Sequence, residues 1–176
     1  MVFRNDCGSF QEQRIEGTNL GLAFSEDGIE WEVSPELLPM FADEPDAIRI
    51  YDPRLVILEG KLLMIFALST FHSIRAGIAS TEDFKNFELM HLSTPDSRNI
   101  VLFPRKVNGY HVRLEKPFPV YGKLGMERFD IWISFSPDLR FWRERSNCFW
   151  LWKMYLLRTA RWDPGRHLSK RMKAGW

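Results

Sequence analysis

Asp52, Pro53 and Arg54 form a triplet whose residue types and spacing could do chemistry. They place an acid and a base on either side of a proline, whose ring fixes φ. Carboxyl groups are common proton donors and acceptors in active sites. Aspartate also forms turns by bonding backbone N–H groups nearby. The triplet therefore predicts either a turn or a site, and the surrounding elements must decide between the two.

The triplet leads into two apolar runs, Leu55–Leu58 and Leu62–Leu68. Both runs are rich in Val, Ile, Leu and Phe, which favour buried strands. Between them lies Glu59-Gly60-Lys61, where a glycine with polar neighbours lets the chain reverse. We therefore predict a buried β-hairpin, with Asp52 just before its first strand.

One pattern occurs three times, in LGLAFSEDGIEWE, AGIASTEDFKNFEL and IWISFSPDLRFWRE. A short strand runs into Ser/Thr-x-Asp, and an aromatic residue follows the aspartate after three further residues. The aspartates are Asp27, Asp83 and Asp138, at spacings of 56 and 55 residues, and the aromatic residues are Trp31, Phe87 and Trp142. The pattern predicts a repeated turn followed by an outer strand.

A second repeat lies between copies of the first, because the hairpin at Glu59-Gly60 is matched by Asn108-Gly109, a strong hairpin signal. Together the repeats give units of four strands, which are typical of a β-propeller. The predicted fold class is all-β, a partial propeller with two complete blades and most of another; a plain β-sandwich is the alternative. The predicted strands are 2–4, 20–24 and 29–33, then 55–59, 62–68, 74–80 and 87–91, then 100–107, 110–115, 130–135 and one beginning near 142.

Composition indicates a soluble globular protein, with 45% hydrophobic and 27% charged residues. The first ten residues contain no apolar segment typical of a signal peptide, and no run approaches the roughly 20 apolar residues that span a bilayer. We therefore predict a cytoplasmic protein without membrane contact.

Cys7 and Cys148 match no CxxC pattern and are expected to be free thiols. The histidines show no metal-ligand spacing, so no metal site is predicted.

Charge is divided unevenly along the chain. Residues 1–139 contain 14 Lys+Arg and 21 Asp+Glu, whereas residues 140–176 contain 10 and 2, which gives balances of −7 and +8. A basic tail often indicates nucleic-acid binding or contact with a membrane surface. Nucleic-acid binding and membrane contact are therefore two alternatives for the role of this tail.

Several motifs in the same order resemble glycoside hydrolase family 130, the five-bladed propeller mannoside phosphorylases and related β-mannosidases. They are YDPR at 51–54, SRNIVLFPRKVNGYHVRLEKP at 97–117 and FPVYGKLGMERFDIWISFSPDL at 118–139. The last segment is most similar to the mannosylglucose phosphorylase branch. The resemblance covers about residues 1–145, which we predict to be a partial glycosidase domain.

The resemblance implies roles for five residues. Asp52 corresponds to the catalytic aspartate, and the pair Arg98-Asn99 corresponds to residues that contact sugar and phosphate. Lys116 takes the place of a phosphate-binding base that is often arginine, so a point charge replaces a bidentate fork. Tyr51 is expected to line the sugar pocket, with a packing role equally open. Taken singly, Asp52 and Asn99 could instead form turns, and Arg98 and Lys116 could be ordinary surface bases.

The chemistry implied is phosphorolysis of a β-mannoside such as mannosyl-glucose, which yields mannose 1-phosphate. An inverting hydrolase needs two carboxyl groups, one of them to activate water. A phosphorylase needs one acid and a basic clamp for phosphate. Asp52 with Arg98 and Lys116 fits the second set. No cofactor is expected, and phosphate is the co-substrate. The expected partners are the sugar and phosphate, not nucleic acid. For the full-length protein, assembly into a homo-oligomer is left as an open alternative. A β-mannoside hydrolase and a non-catalytic binding propeller are the alternatives.

The resemblance ends within a few residues of Arg145, where the charge also changes. Codons read one nucleotide earlier force leucine across Phe149/Trp150, glutamate across Trp152/Lys153, and valine across Met154/Tyr155. They also force glycine across Trp162/Asp163, and these four agree with the family's own continuation. A fifth forced residue, glutamate across Met172/Lys173, falls where the family varies. We therefore interpret residues 146–176 as a non-native tail read out of frame from about Phe149. A chain with too few blades to close a propeller is expected to show little or no activity alone.

Overall fold

The computed structural model describes residues 1–9, 14–40, 46–118, 120–121, 127–128 and 130–147. All thirteen elements in these ranges are β-strands, which confirms the all-β prediction. They are β1 (Val2–Ser9), β2 (Arg14–Phe24), β3 (Glu32–Val33), β4 (Ala47–Leu58), β5 (Lys61–Thr70), β6 (Ile74–Thr81), β7 (Glu88–Leu92), β8 (Ser97–Leu102), β9 (His111–Pro117), β10 (Val120–Tyr121), β11 (Glu127–Arg128), β12 (Trp132–Ser136) and β13 (Arg143–Asn147). Ser146 and Asn147, the first two residues of the predicted tail (146–176), belong to β13 and pair with β12, and residues 148–176 lie outside the described residues.

The strands form three successive antiparallel units, which we call blades. The first blade is β1-β2-β3, the second is β4-β5-β6-β7, and the third is β8-β9-β12-β13. One parallel pair, Arg75 with Ser97, joins the second blade to the third. β10 and β11 pair only with each other in the described part of the chain. The predicted grouping into two complete units and part of another is therefore the one observed.

Both predicted hairpin turns are present. Glu59 and Gly60 have φ of 51° and 78°, and Asn108 and Gly109 have φ of 51° and 82°. Positive φ at both central residues is the type I′ geometry, whose twist matches that of the adjoining strands. The two turns therefore close equivalent hairpins in the second and third blades.

β5 is the centre of the packing because both of its faces are buried. Met64, Phe66 and Leu68 pack with residues of the first blade such as Leu20. Leu63 and Ile65 on the other face pack with Ile100 and other residues of the third blade. A strand covered on both sides reads as a continuous apolar run rather than an alternating one, which explains the sequence of Leu62–Leu68.

Two glycines at equivalent positions make room for aromatic rings. Gly21 lies opposite Phe3 on the paired strand, and Gly77 lies opposite Phe66. A Cβ added to Gly77 would lie 2.1 Å from Cζ of Phe66, and one added to Gly21 would lie 2.4 Å from Cζ of Phe3. Each of the first two blades therefore contains the same close approach of a phenylalanine ring to a glycine on the paired strand.

The three repeated aspartates form the predicted turns. Oδ1 of Asp27 accepts hydrogen bonds from the backbone N–H of Ile29 and Glu30. Asp83 and Asp138 accept the equivalent pairs, from Lys85 and Asn86 and from Arg140 and Phe141 respectively. The residue after each aspartate has positive φ, although only Gly28 among the three is glycine. The hydrogen bonds therefore hold a backbone conformation that Phe84 and Leu139 would not favour alone.

Asp83 should make the stability of the chain depend on pH under acid conditions. The backbone N–H groups of Asn86 and Lys85 are the main cause that lowers the pKa of Asp83 from 3.8 to about 2. Because the folded state holds this proton less tightly than the unfolded state, the stabilisation is present above pH 3.8 and is lost as pH falls towards 2. Asp83→Asn should therefore flatten the pH dependence of the urea midpoint between about pH 4 and about pH 2.

The matched control for Asp83→Asn is Glu82→Gln, which removes a neighbouring exposed carboxylate. That variant should follow the pH dependence of the unchanged chain. If Asp83→Asn follows it as well, the turn carboxylate does not contribute as described.

Candidate active site

Asp52 lies within β4 rather than at its head. Residues before the triplet already pair with β5, because Ala47, Ile50 and Tyr51 lie opposite Thr70, Leu68 and Ala67. The prediction that Asp52 precedes the first strand is therefore corrected. Sequence patterns missed this pairing because the apolar run begins only at Leu55, whereas the backbone ladder does not require apolar side chains.

An irregularity in the strand sets Asp52 apart from its neighbours. The pairing of β4 with β5 shifts between Tyr51 and Arg54, so Asp52 and Pro53 have no partner in that ladder. Asp52 has φ of 53°, and its side chain is 43% exposed. Such bulges occur often beside active sites, where they redirect a side chain. The outlier motivates a site as a hypothesis, and the turn stays open because aspartate is among the residues that adopt positive φ most often.

Arg4 on β1 brings a cation to Asp52, although no motif in the sequence indicates this arginine. Nη1 of Arg4 lies 3.7 Å from Oδ1 of Asp52, and Nε donates a 2.8 Å hydrogen bond to Oδ1 of Asp6. The bond to Asp6 is the main cause that raises the pKa of Arg4, and the same bond lowers the pKa of Asp6. The first blade therefore contributes a guanidinium group to the surroundings of Asp52.

Tyr51 lies beside the same guanidinium group. The side chain is buried, and Cζ of Arg4 lies 5.3 Å from the centroid of its ring. Its hydroxyl accepts a long hydrogen bond of 3.5 Å from Oγ of Ser69. These contacts account for a packing role, and a role in the sugar pocket stays a prediction.

The predicted phosphate residues lie together on the third blade. Asn99 in β8 pairs with Lys116 in β9, so their side chains share a face of the sheet. Asn99 is half-buried and Lys116 is exposed. The pairing of β8 with β9 shifts between Ser97 and Asn99, which places the backbone of Arg98 at a second bulge. Asp52 and Arg98 are thus both located at irregular positions in the first strands of neighbouring blades.

Arg54 links the strand of Asp52 to the strand of Arg98. Its Nη1 donates a 3.0 Å hydrogen bond to the backbone oxygen of Ile100, 46 residues away. Ile100 follows Asn99 directly, and Arg54 is two residues beyond Asp52. This bond joins the strand of Asp52 to the strand of Asn99, and the convergence of Asp52 with Arg98, Asn99 and Lys116 stays a prediction.

Other features of the described residues lie outside this site. A groove of about 780 Å³ is lined by Lys61, Asp83, Phe87 and neighbouring residues at the Glu59-Gly60 end of the second blade, and it includes none of the predicted site residues.

Within the described ranges, no group of three or more His, Cys, Asp or Glu residues is arranged to hold a metal ion. The same ranges contain no helix long and apolar enough to cross a membrane. Cys7 is exposed and is a free thiol, as predicted.

Comparison with known proteins identifies the relatives of this chain. Residues 1–163 match the sequence profile of the family described as beta-1,4-mannooligosaccharide phosphorylase. The beta-1,4-mannooligosaccharide phosphorylase of Ruminococcus albus is 31% identical over 154 residues, which cover 83% of this chain and 43% of that protein. The beta-1,2-mannobiose phosphorylase of Listeria innocua is 26% identical over 148 residues, which cover 82% of this chain and 38% of that protein.

Solved structures agree on the fold. The structure of the Listeria innocua beta-1,2-mannobiose phosphorylase with beta-1,2-mannobiose matches 80% of this chain and 40% of its own, with a TM-score of 0.64 and 22% identity. A second structure, described with family 130 hydrolases that target beta-1,2 mannosidic linkages in Candida mannan, matches 76% of this chain and 41% of its own, with a TM-score of 0.54 and 15% identity. At this level of identity the likeness concerns the fold alone, and it confirms the partial β-propeller.

The chain spans about two fifths of the length of the curated relatives that it matches. The match to the family profile nevertheless covers most of the chain, from Met1 into the segment beyond β13. It includes every residue of the candidate site. The chain therefore belongs to glycoside hydrolase family 130.

Proposed function

We propose that the complete protein is a β-mannoside phosphorylase, which transfers a mannosyl group to phosphate and releases mannose 1-phosphate. The observation that supports this most strongly is the family match across all the site residues. Asp52, exposed at a bulge and linked through Arg54 to the strand of Asn99, is consistent with it. Mannosyl-glucose is the substrate that we expect, because the segment at 118–139 resembles the mannosylglucose branch.

In the proposed reaction Asp52 is the proton donor. The glycosidic C–O bond breaks, its oxygen receives the proton, and a phosphate oxygen bonds to the anomeric carbon of the mannosyl group. Family 130 enzymes are thought to pass the proton through a mannosyl hydroxyl group. Because phosphate arrives already anionic, no second carboxyl group is needed to activate a nucleophile.

Arg98, Asn99 and Lys116 are the proposed binding residues for phosphate and sugar. Asn99 and Lys116 present an amide and an ammonium group from paired positions of adjacent strands. An ammonium group binds phosphate as a point charge, without the bidentate geometry of arginine. We expect phosphate to bind here, with a weaker hold on its orientation than an arginine would give. Tyr51 is proposed to border the sugar.

We propose that the reaction uses no metal or organic cofactor, only phosphate as co-substrate. The proposed site residues are one carboxyl group with basic and amide groups, which suffice for positioning and charge stabilisation. Treatment with a chelator should therefore leave the activity unchanged. We also propose a cytoplasmic location, where phosphate is abundant, and no nucleic-acid partner.

A β-mannoside hydrolase of the same fold is the second candidate function. The solved structure described with family 130 hydrolases supports it, since the fold serves both reactions. The residues favour the phosphorylase, because a hydrolase has no need of a phosphate clamp. A non-catalytic binding propeller is the third candidate, and it would not require Asp52 to be linked to the strand of Asn99.

The experiment uses a chimeric enzyme in which residues 1–147 of this chain are followed by the later blades of the Ruminococcus albus relative. Mannosyl-glucose is supplied with and without inorganic phosphate. We expect cleavage only with phosphate. Equal cleavage without phosphate would establish the hydrolase, and binding without cleavage by a folded chimera would favour the non-catalytic propeller.

The 176-residue chain alone should form little or no mannose 1-phosphate under the same conditions. It supplies two blades and most of another, and we expect that a closed propeller is needed to complete a pocket at Asp52. Turnover by the purified chain at a rate near that of the chimera would contradict this prediction.

The tail is proposed to be an out-of-frame product. The change in charge and the forced leucine, glutamate, valine and glycine residues support the proposal, whereas the family match, which runs to residue 163, counts against a break at Phe149. The coding DNA tests it directly: the proposal fails if no single-base change restores a family-like continuation from about Phe149.

A further inference from the structure

One edge of β1 distinguishes the first blade from the other two. The turn aspartates Asp27, Asp83 and Asp138 follow β2, β6 and β12, so β1 is the equivalent of β5 and β9. β5 pairs with β4 as well as with β6, and β9 pairs with β8 as well as with β12. Among the described strands, β1 pairs with β2 alone. The edge that its equivalents use to hold the first strand of a blade is therefore open on β1, and we call it the free edge.

The backbone groups at the free edge follow from the pairing of β1 with β2. The N–H of Ala23 donates to the Met1 oxygen at 2.9 Å, and the Met1 ammonium group donates to the Ala23 oxygen at 2.6 Å. Hydrogen-bonded pairs of this kind alternate with non-hydrogen-bonded pairs along an antiparallel ladder. The N–H and C=O groups of Val2, Arg4 and Asp6 therefore point away from β2, where a further strand could pair with them.

Two apolar side chains of β4 face the first blade and remain exposed. Leu55 lies opposite Met64, which packs with Leu20 of the first blade. Ile57 lies two residues beyond Leu55 and therefore on the same face of the strand. Leu55 is 37% exposed and Ile57 is 70% exposed. This part of β4 thus presents an apolar surface that the described strands of the first blade leave uncovered.

The opposite face of the same segment shows how such a surface is buried. Val56 and Leu58 pack in the core between the second and third blades, together with Ile100 and Leu102 of β8. The first strands of these two blades thus cover each other's apolar side chains. The exposed pair on β4 corresponds to the buried pair on β8, since each pair faces the preceding blade. A strand paired with the free edge of β1 would cover the exposed pair in the same way.

We propose that the free edge of β1 is a docking site for an extended strand from a separate polypeptide, which runs antiparallel to β1 and covers Leu55 and Ile57. The docked strand needs two apolar side chains at alternate positions, like Val56 and Leu58 in β4. Strand addition of this kind takes affinity from backbone hydrogen bonds and selectivity from the surface that meets alternate side chains. The proposal goes beyond the proposed function and does not depend on it.

The sequence of β1 argues against a second copy of β1 as the docked strand. Its residues, VFRNDCGS, contain no two apolar side chains two positions apart. Two copies paired edge to edge would therefore satisfy the backbone groups but would not cover the apolar pair on β4. A strand with the apolar alternation of β4 does both.

The test uses the purified 176-residue chain and a synthetic peptide of residues 53–60, PRLVILEG, with blocked ends. Hydrogen exchange followed by NMR reports the amides of β1 with and without the peptide. At saturation we expect the amides of Arg4 and Asp6 to exchange at least about tenfold more slowly. The amides of Phe3 and Asn5 should change less, because they already donate to β2. This alternation is specific to pairing at the free edge.

Matched substitutions test the apolar contact. Ile57→Glu in the chain should weaken peptide binding in an NMR titration by roughly tenfold or more, since a charge replaces the side chain that the peptide covers. Phe141→Glu changes an equally exposed apolar residue on the third blade, 69% against 70%, and should leave the affinity unchanged. A peptide carrying Val56→Ser and Leu58→Ser should bind the unchanged chain at least about tenfold more weakly, which tests the same contact without altering the protein.

Four results would overturn the proposal. One is the lack of saturable binding up to about 1 mM peptide. Another is equal binding of the serine-substituted peptide, and a third is protection at a strand edge other than that of β1. The fourth is protection of the Arg4 and Asp6 amides before any peptide is added. In a dimeric chain that result would identify a second copy as the occupant, and in a monomeric chain it would identify residues of the chain itself.

Discussion

Arg113→Met is expected to lower the free energy of unfolding of this chain by about 3–5 kcal/mol, the usual cost of removing one partner from a buried ion pair. Nη2 of Arg113 lies 2.9 Å from Oε2 of Glu115, and both side chains are 1% exposed. Nε donates to Oγ of Ser134, and Cζ lies 4.2 Å from the centroid of the Trp142 ring. The substitution would leave the carboxylate of Glu115 buried beside an apolar side chain.

The size of this loss matters because small domains are stable by only about 5–15 kcal/mol. Urea denaturation followed by circular dichroism measures it. Lys106→Met is the matched control, since it breaks the Lys106–Glu59 pair, whose side chains are 32% and 55% exposed. That pair should be worth about 0–1 kcal/mol. Adding Glu115→Leu to Arg113→Met should recover much of the lost free energy of unfolding, because no unpaired charge then remains buried. If Arg113→Met alone lowers the free energy of unfolding by less than about 1 kcal/mol, the account is contradicted.

Asp52→Asn is expected to lower the phosphorolytic kcat of the chimeric enzyme by about 10²–10⁴-fold, the range that a general acid contributes. Asparagine keeps the size of the side chain but cannot donate the proton. The KM values for mannoside and phosphate should change little, because the proposed acid acts on the bond that breaks. Initial rates of mannose 1-phosphate formation at several concentrations of each substrate measure both quantities.

The control for Asp52→Asn is Asp96→Asn, an exposed aspartate just before β8 with positive φ but no proposed role. It should retain the activity of the chimera. An Asp52→Asn variant that keeps more than about a tenth of the activity would remove Asp52 from the role of proton donor.

Local patterns were enough to predict the architecture. The Asn108-Gly109 turn has the φ values that its residues favour, and the three turn aspartates accept the backbone hydrogen bonds expected of them. The blade pattern followed because turn chemistry and strand alternation repeat at nearly constant spacing. These features depend on residues close in sequence, which is why the sequence alone predicts them.

The burial of the polar side chains of β9 has no local signal in the sequence. His111, Arg113 and Glu115 alternate with apolar residues, which is the usual pattern of a solvent-facing side. In the structure all three are buried. Arg113 and Glu115 lie opposite Leu102 and Ile100, in the packing between the second and third blades. Alternation cannot distinguish an exposed polar face from one whose charges pair with each other.

The family motifs indicate Asp52, Arg98, Asn99 and Lys116 as the candidate site, and their roles stay predictions. Nothing near Asp52 in sequence indicated Arg4, which comes from a different blade. The left-handed φ of Asp52 was also not predicted, because no glycine marks the position. Both features arise from contacts between blades, and the sequence carries no local signal for such contacts.

The most direct test of the central claim is ³¹P and ¹H NMR of the product that the chimeric enzyme forms from mannosyl-glucose and inorganic phosphate. A single acid with direct attack by phosphate must invert the anomeric carbon, as in other single-displacement glycosidases. We predict α-mannose 1-phosphate and glucose in equal amounts, formed about 10²–10⁴-fold more slowly by Asp52→Asn. Free mannose, or mannose 1-phosphate of β configuration, would contradict the account.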